Sequence, residues 1–198
     1  MTFNQSAAEK QFASFGPLFN TAEHSDCQVV FASGTTLHLH KIINCCQNDF
    51  FKSCFSSGMQ ESEHNKIIID KDEDERLLTI LIQTLYTAQL ECELSEIVDI
   101  IFTAEKYTFE HWVSLLSEHL SKNITENNAL QCLQLNLEVN SIVKNGLKRF
   151  FANSSENILN EQSYLEMDPQ VFPTVAEMLV TTNNGDKVQE AVHHWIAR

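Results

Sequence analysis

Glycine is scarce in this 198-residue chain, with five in total, and no GxxxxGK or GxGxxG run occurs. The phosphate-cradling loops of kinases and nucleotide-binding proteins therefore have no counterpart here. HExxH and EF-hand patterns are missing as well. Positive charge is also in short supply: 13 Lys and Arg stand against 27 Asp and Glu, a formal charge of −14. That balance argues against a general binder of nucleic acid or anionic membranes. The six cysteines (Cys27, Cys45, Cys46, Cys54, Cys92, Cys132) contain no CxxC pair, and Met1 to Lys10 is polar where a signal peptide needs an apolar stretch. Free thiols in a reducing compartment are the expectation, cytoplasmic with the nucleus also open. The sequons at Asn4, Asn123 and Asn153 then carry little weight. Long hydrophobic runs are lacking too. Leu77 to Leu90 is interrupted by Thr79, Gln83, Thr84 and Thr87, is too short to span a bilayer, and reads as a buried helix.

What is present is enough for a packed interior: 43% of residues are hydrophobic, and a chain of this length buries roughly 70% of its unfolded surface. One large domain or two small ones are allowed. Asn4 to Asn20 spaces Ala8, Phe12, Phe15, Leu18 and Phe19 as a helix face would, with Gly16-Pro17 as a break. Its aromatic face needs cover, from a partner subunit or from the chain's own core. Asp26 to Phe31 and Thr35 to His40 read as two strands of a hairpin joined at Ala32-Ser33-Gly34. A period of two puts Leu37 and Leu39 on one face and His38 and His40 on the other.

From Ile42 to Phe55 a helical rhythm is broken at Gln47-Asn48-Asp49, which predicts two short helices, the second closed by Ser56-Ser57-Gly58. Lys66 to Asp70 reads as a strand. Leu77, Leu81 and Leu85, then Ile97, Ile100, Ile101 and Ala104, then Trp112, Leu115, Leu116 and Leu120 each form an apolar helical stripe. Beyond about residue 118 the chain alternates helical stripes with polar breaks: 129–137, 142–151, 162–167, 171–179 and 188–196. Thr125, Asn127 and Asp168-Pro169 suit helix starts, and 181–185 reads as a loop. The expectation is an α+β unit followed by an all-helical one. Arg198 follows His194-Trp195-Ile196 with no closing element, so the natural protein is expected to continue.

Candidate chemistry is sparse. His38 and His40, about 7 Å apart along a strand, with Cys45 and Cys46 nearby, could be drawn together as metal ligands. The paired spacing of structural zinc sites is missing, and a hydrogen-bonded strand histidine is the better reading. Cys45, Cys46, Cys54 and Cys132 fall at apolar helical positions that suit inert buried thiols. His193-His194 has no third ligand nearby. No cofactor and no metal are expected. The segment with the look of a recognition element is Gly58-Met59-Gln60-Glu61-Ser62-Glu63, an apolar knob flanked by carboxylates. Such a knob can anchor an interface by burial while the charges set orientation; it can equally fold inward and cap the core.

The order Asp26-x-x-Val29-Val30, Leu39-His40-Lys41, Cys45-Cys46, Phe50-Phe51-x-x-x-Phe55, Ser57-Gly58-Met59-x-Glu61-Ser62 and Leu85-Tyr86-Thr87-x-x-Leu90 closely resembles a BTB/POZ domain. Leu120 with 124–128, Leu147-x-x-Phe150, Tyr164-Leu165-Glu166-Met167 and Glu190-Ala191-Val192-x-x-Trp195-Ile196 resemble the BACK domain that follows BTB in Kelch-like proteins. The resemblance implies three regions: a dimerising segment over 1–25, a BTB/POZ domain over 26–118 and a BACK domain over 119–198, the last truncated. It further implies a noncatalytic adaptor of a cullin-RING ubiquitin ligase. Such adaptors homodimerise through the N-terminal segment, here Phe12, Phe15, Leu18 and Phe19. An apolar-x-Glu motif, here Met59-Gln60-Glu61 with Phe55 and Ser62, then contacts the N-terminal domain of cullin-3. The first BACK helices, roughly Leu120 to Leu137, receive the cullin's N-terminal extension, and a C-terminal Kelch propeller captures an unknown substrate protein. No Kelch repeat fits in this sequence. An oligomerisation or corepressor-docking scaffold without cullin is the other open function. Three departures from the family pattern stand out: Asn48-Asp49 replaces a serine-proline pair, Ala88 replaces a glycine, and Leu39 replaces an alanine. At Ala88 the backbone must either avoid positive φ or tolerate strain near ~1 kcal/mol.

Overall fold

The computed structural model describes residues 2–4, 15–56, 58, 60–125, 128–129, 131–132 and 140–153. The chain divides into two compact units, Met1–Val113 and Ser114–Arg198. The first is a mixed α+β unit with a small sheet and a helical cluster; the second is all-helical among its described residues, consistent with a BACK-like domain.

The sheet forms where β-branched residues alternate with polar ones. Strand β2 (Cys27–Val30) is central, antiparallel to β3 (Thr36–Leu39) and parallel to β4 (Lys66–Ile68). Cys27, Val29, Leu37, Leu39 and Ile67 are buried, which is the alternation that one covered face demands. The hairpin turn closes through Gly34, whose φ of 92° favours glycine and whose N–H reaches the Phe31 carbonyl at 2.9 Å. A separate pair joins β1 (Thr2–Asn4) to β5 (Gln89–Glu91) in antiparallel register.

Helices α1 (Lys41–Gln47) and α2 (Asp49–Cys54) are the two short helices expected. Asn48 ends the first and caps the second, its Oδ1 accepting from Phe51 N–H at 3.1 Å. Asn48 thus caps the helix from the serine's position, while Asp49 stands in place of the proline as the first helical residue. Helix α3 (Gln60–His64) precedes β4. Helix α4 (Glu75–Thr87) starts at Asp74, which accepts from Leu77 N–H, and buries Leu77, Leu78, Leu81, Ile82, Leu85 and Tyr86. Helix α5 (Ile97–Lys106) buries Ile97, Val98, Ile100, Ile101 and Ala104. Helix α6 (Glu110–Lys122) begins in the first unit, where Trp112 Nε1 donates to Thr84 Oγ1 at 2.7 Å. In the second unit Leu116 and Leu120 of α6 are buried, as are Val143 and Leu147 of α7 (Ser141–Asn153). Gly146 of α7 permits a close approach: a Cβ there would lie 2.8 Å from the Ser121 backbone.

Several expectations need correction. Asn4 lies in β1 and Phe15 to Leu18 form a 3₁₀ turn, so neither end of the 4–20 stretch is α-helical; the short helix expected between them falls on residues 5–14, outside the described set. The apolar run from Leu77 to Leu90 is not one helix. It breaks at Ala88, which adopts φ 55°, ψ 23°, and continues as β5. Of the two alternatives at this glycine position, the strained one holds. Gly58 has the positive φ expected of it, 92°, but α2 has already ended with Phe55 as its C-cap. The polar stretch after Gly58, for which no helix is expected, is helical from Gln60. His40 does not share the exposed side of β3 with His38: the strand ends at Leu39, and His40 is 5% exposed at the start of α1. Cys46 is exposed and Cys45 and Cys54 half-buried, while Cys132 is buried as expected. The helix starts expected at Asn127 and Asp168, the loop at 181–185 and the stripes beyond residue 153 lie outside the described residues.

Candidate functional site

The motif residues divide into a hydrogen-bonded framework and an exposed face. In the framework, Asp26 Oδ1 accepts the backbone N–H of Lys41 at 2.7 Å and so holds the start of α1 against β2. Tyr86 Oη accepts from the His40 backbone N–H and from Asn44 Nδ2, each at 2.9 Å, and lies 3.3 Å from His40 Nδ1. With both oxygen lone pairs engaged, the phenol donates to Nδ1, and Nε2–H then donates to the Glu23 carbonyl at 2.9 Å. His40 is therefore a fully engaged structural histidine. Burial pushes the Tyr86 hydroxyl up to about 12, with the two hydrogen bonds acting in the opposite direction.

The exposed face is built outward from α2. Its first turn is tied to the turn between α5 and α6: Asn48 Nδ2 donates to the Tyr107 carbonyl at 3.0 Å, and Thr108 Oγ1 accepts from Phe50 N–H at 2.9 Å. The Phe50 ring meets Tyr107 edge-on at 5.0 Å. At the other end of α2, Phe55 is half-buried beneath the ammonium of Lys41, 5.0 Å from the ring centroid. Helix α3 follows and buries none of its residues; Gln60 is exposed, while Glu61 and Ser62 are half-exposed. Met59 lies outside the described residues. Asn65, directly after α3, accepts from Lys41 Nζ at 2.5 Å through its side chain and from Gln28 N–H at 2.9 Å through its carbonyl. An open cleft of about 320 Å³ lies between the α1–α2 junction and the α5–α6 turn, lined in part by Cys46, Lys52, Thr108 and His111.

The sequence-predicted dimer residues are only partly together. Phe15, Leu18 and Phe19 lie on one turn and are half-buried; Phe12 is outside the described residues. Phe19 packs on its own unit, its ring 5.4 Å from that of Tyr86. Ile42 on α1, the first apolar position of the helical rhythm, remains 71% exposed.

Chemistry at the thiols is muted. Burial pushes Cys27 up to about 12, and Cys45, Cys54 and Cys92 are raised chiefly by burial; at Cys54 the nearby Glu61 carboxylate adds to the effect. A thiol held protonated is a weak nucleophile. Among the described residues no three His, Cys, Asp or Glu side chains converge as metal ligands, and no helix is long and apolar enough to cross a membrane.

A small sheet, a helical cluster and an exposed short helix make up the first unit among its described residues. The family model for the BTB/POZ domain matches residues 15–124. The chain belongs to the BTB/POZ family, whose general role is protein–protein interaction. Kelch-like protein 41 of Homo sapiens is 21% identical over 181 residues, covering 90% of this chain and 30% of that protein. Kelch-like protein 8 of Caenorhabditis elegans is 24% identical over 220 residues, with 98% and 30% covered. Kelch repeat and BTB domain-containing protein 4 of Homo sapiens is 24% identical over 106 residues, with 54% and 20% covered. The relationship to Kelch-like proteins is distant, and the chain spans 20–30% of the length of these curated relatives.

Proposed function

We propose that this chain is the dimerising and recruiting part of a noncatalytic ubiquitin-ligase adaptor, with a BTB/POZ domain over 26–118 and a BACK domain from 119. Two copies pair through the N-terminal segment (Phe12, Phe15, Leu18, Phe19), and each offers Met59, Gln60, Glu61 and Ser62, with Phe55 beside them, to the N-terminal domain of cullin-3. Substrate capture belongs to a Kelch region outside this sequence, and the work is done in the cytoplasm. The contribution to ubiquitin transfer is proximity: a held substrate meets a charged conjugating enzyme at high local concentration.

The observation that supports this reading is helix α3, which carries Gln60, Glu61 and Ser62 of the motif and buries none of its own residues. A short helix kept out of the core is available to a partner. Half-buried Phe15 and Leu18 and the exposed Ile42 supply apolar surface of the kind a dimer covers. The net charge of −14 suits a basic partner surface and would speed encounter at low salt. The test is titration calorimetry of Met59→Asp and Glu61→Lys against a cullin-3 N-terminal fragment, with light scattering on each variant. Loss of binding with dimer mass retained is expected. Unchanged binding in both variants would remove this segment from the interface, and absence of binding by the parent chain would favour the cullin-free scaffold.

A further inference from the structure

We propose that Lys41 is the positioning residue of the recruiting helix α3, a single ammonium that ties the chain on both sides of it. The proposal rests on the docking role given to Gln60–Ser62, although its geometry is independent of any partner. A helix of five residues does not hold itself in water, and α3 has no buried residue through which core packing could place it. Its flanks therefore help to fix its position. On the upstream side is Phe55, the C-cap of α2; on the downstream side is Asn65.

Lys41 reaches both. Its own backbone is fixed at the start of α1 by the bond from its N–H to Asp26 Oδ1 at 2.7 Å. From there Nζ lies 5.0 Å from the Phe55 ring centroid and 2.5 Å from Asn65 Oδ1. Asn65 sits at φ 55°, a left-handed conformation that asparagine tolerates better than most residues, and β2 holds its carbonyl through Gln28 N–H. The reversal that ends α3 and starts β4 is thus pinned from the sheet and from Lys41 at once. A neutral side chain at position 41 loses both the cation–π contact and the charged donor, while arginine keeps the cation.

The experiment is hydrogen exchange by mass spectrometry on the full chain, comparing the parent with Lys41→Gln, Lys41→Arg and Asn65→Ala, alongside calorimetry with the cullin-3 N-terminal fragment. In Lys41→Gln the amides of Gln60–Asn65 should exchange roughly thirtyfold faster, the low end of the combined worth of one exposed cation–π contact and one charged hydrogen bond. Amides of Glu75–Thr87 should stay unchanged, Lys41→Arg should stay within about twofold of the parent, and Asn65→Ala should show a smaller change of the same kind. Fragment affinity should fall in Lys41→Gln by a similar factor and recover in Lys41→Arg. Unaltered exchange across Gln60–Asn65 in Lys41→Gln would overturn the clamp, and so would acceleration that spreads equally to Glu75–Thr87. If the parent binds no cullin fragment, the recruiting role fails while the exchange data still decide the clamp.

Discussion

Ala88 offers the sharpest thermodynamic test of the fold. It terminates α4 with φ 55° and ψ 23°, its N–H bonded to the Thr84 carbonyl at 2.8 Å, and it is 4% exposed. A left-handed L-residue costs about 1–2 kcal/mol. Replacing it with glycine removes that strain. Against this stand the loss of one buried methyl, worth about 0.8 kcal/mol at most, and the larger freedom of glycine in the unfolded chain, about 0.4–1 kcal/mol. Experience with glycine at left-handed positions puts the balance in its favour, so Ala88→Gly should stabilise by about 0.5 kcal/mol, or a rise in Tm of about 1–2 °C. Ala88→Val provides the opposite arm, because a β-branched side chain is least tolerated at positive φ; it should destabilise by about 2 kcal/mol or more. Urea denaturation of all three proteins reads both differences. A loss of about 1 kcal/mol in Ala88→Gly, as in an ordinary helix interior, together with a neutral Ala88→Val, would refute the left-handed assignment.

Asn48→Ala should cost about 2–3 kcal/mol in the same assay, since it removes the cap on Phe51 N–H and a buried donor to the Tyr107 carbonyl; Asn48→Asp, which keeps the cap acceptor, should recover part of this. Gly146→Ala gains helix propensity but drives a Cβ to 2.8 Å from the Ser121 backbone, so thermal melting should show a net loss of about 1–3 kcal/mol. Stability should also fall in alkali. Cys27 is raised from 9.0 to about 12 and Tyr86 from 10.0 to about 12, both first by burial. Each is neutral when protonated, so folding favours the protonated form; the contribution is complete below the unfolded values and is lost as pH rises from about 9 to 12. A denaturation midpoint that stays level or rises across that window would contradict the burial of both groups.

The legible parts of the fold are those in which one local pattern decides. Asn48 between two apolar helical stretches announces a cap, Gly34 between two β-branched runs announces a hairpin, and the Ile97–Ala104 stripe announces a helix whose buried side is found where the spacing puts it. The misread parts are short. Strand β5 has three residues inside a longer apolar run, too few for an alternation to be seen against a helical stripe, and α3 has five, barely more than one turn. His40 was misplaced because the strand stops one residue earlier than period two assumes, and the cause, a hydroxyl on Tyr86, lies 46 positions away. The candidate docking segment is legible as an apolar knob between carboxylates, while the partner proposed for it comes from its likeness to a known motif. The clamp by Lys41 on Phe55 and Asn65 had no sequence signal, since nothing periodic relates three residues that only the topology brings together.

The central claim is that a paired molecule offers an exposed helix to cullin-3. Light scattering on the purified chain during size exclusion, with and without the cullin-3 N-terminal fragment, tests it most directly. The account predicts twice the chain mass of 22.6 kDa alone, and a gain of two fragments per dimer on mixing. A particle of 22.6 kDa, or a dimer whose mass does not change when the fragment is added, would contradict it.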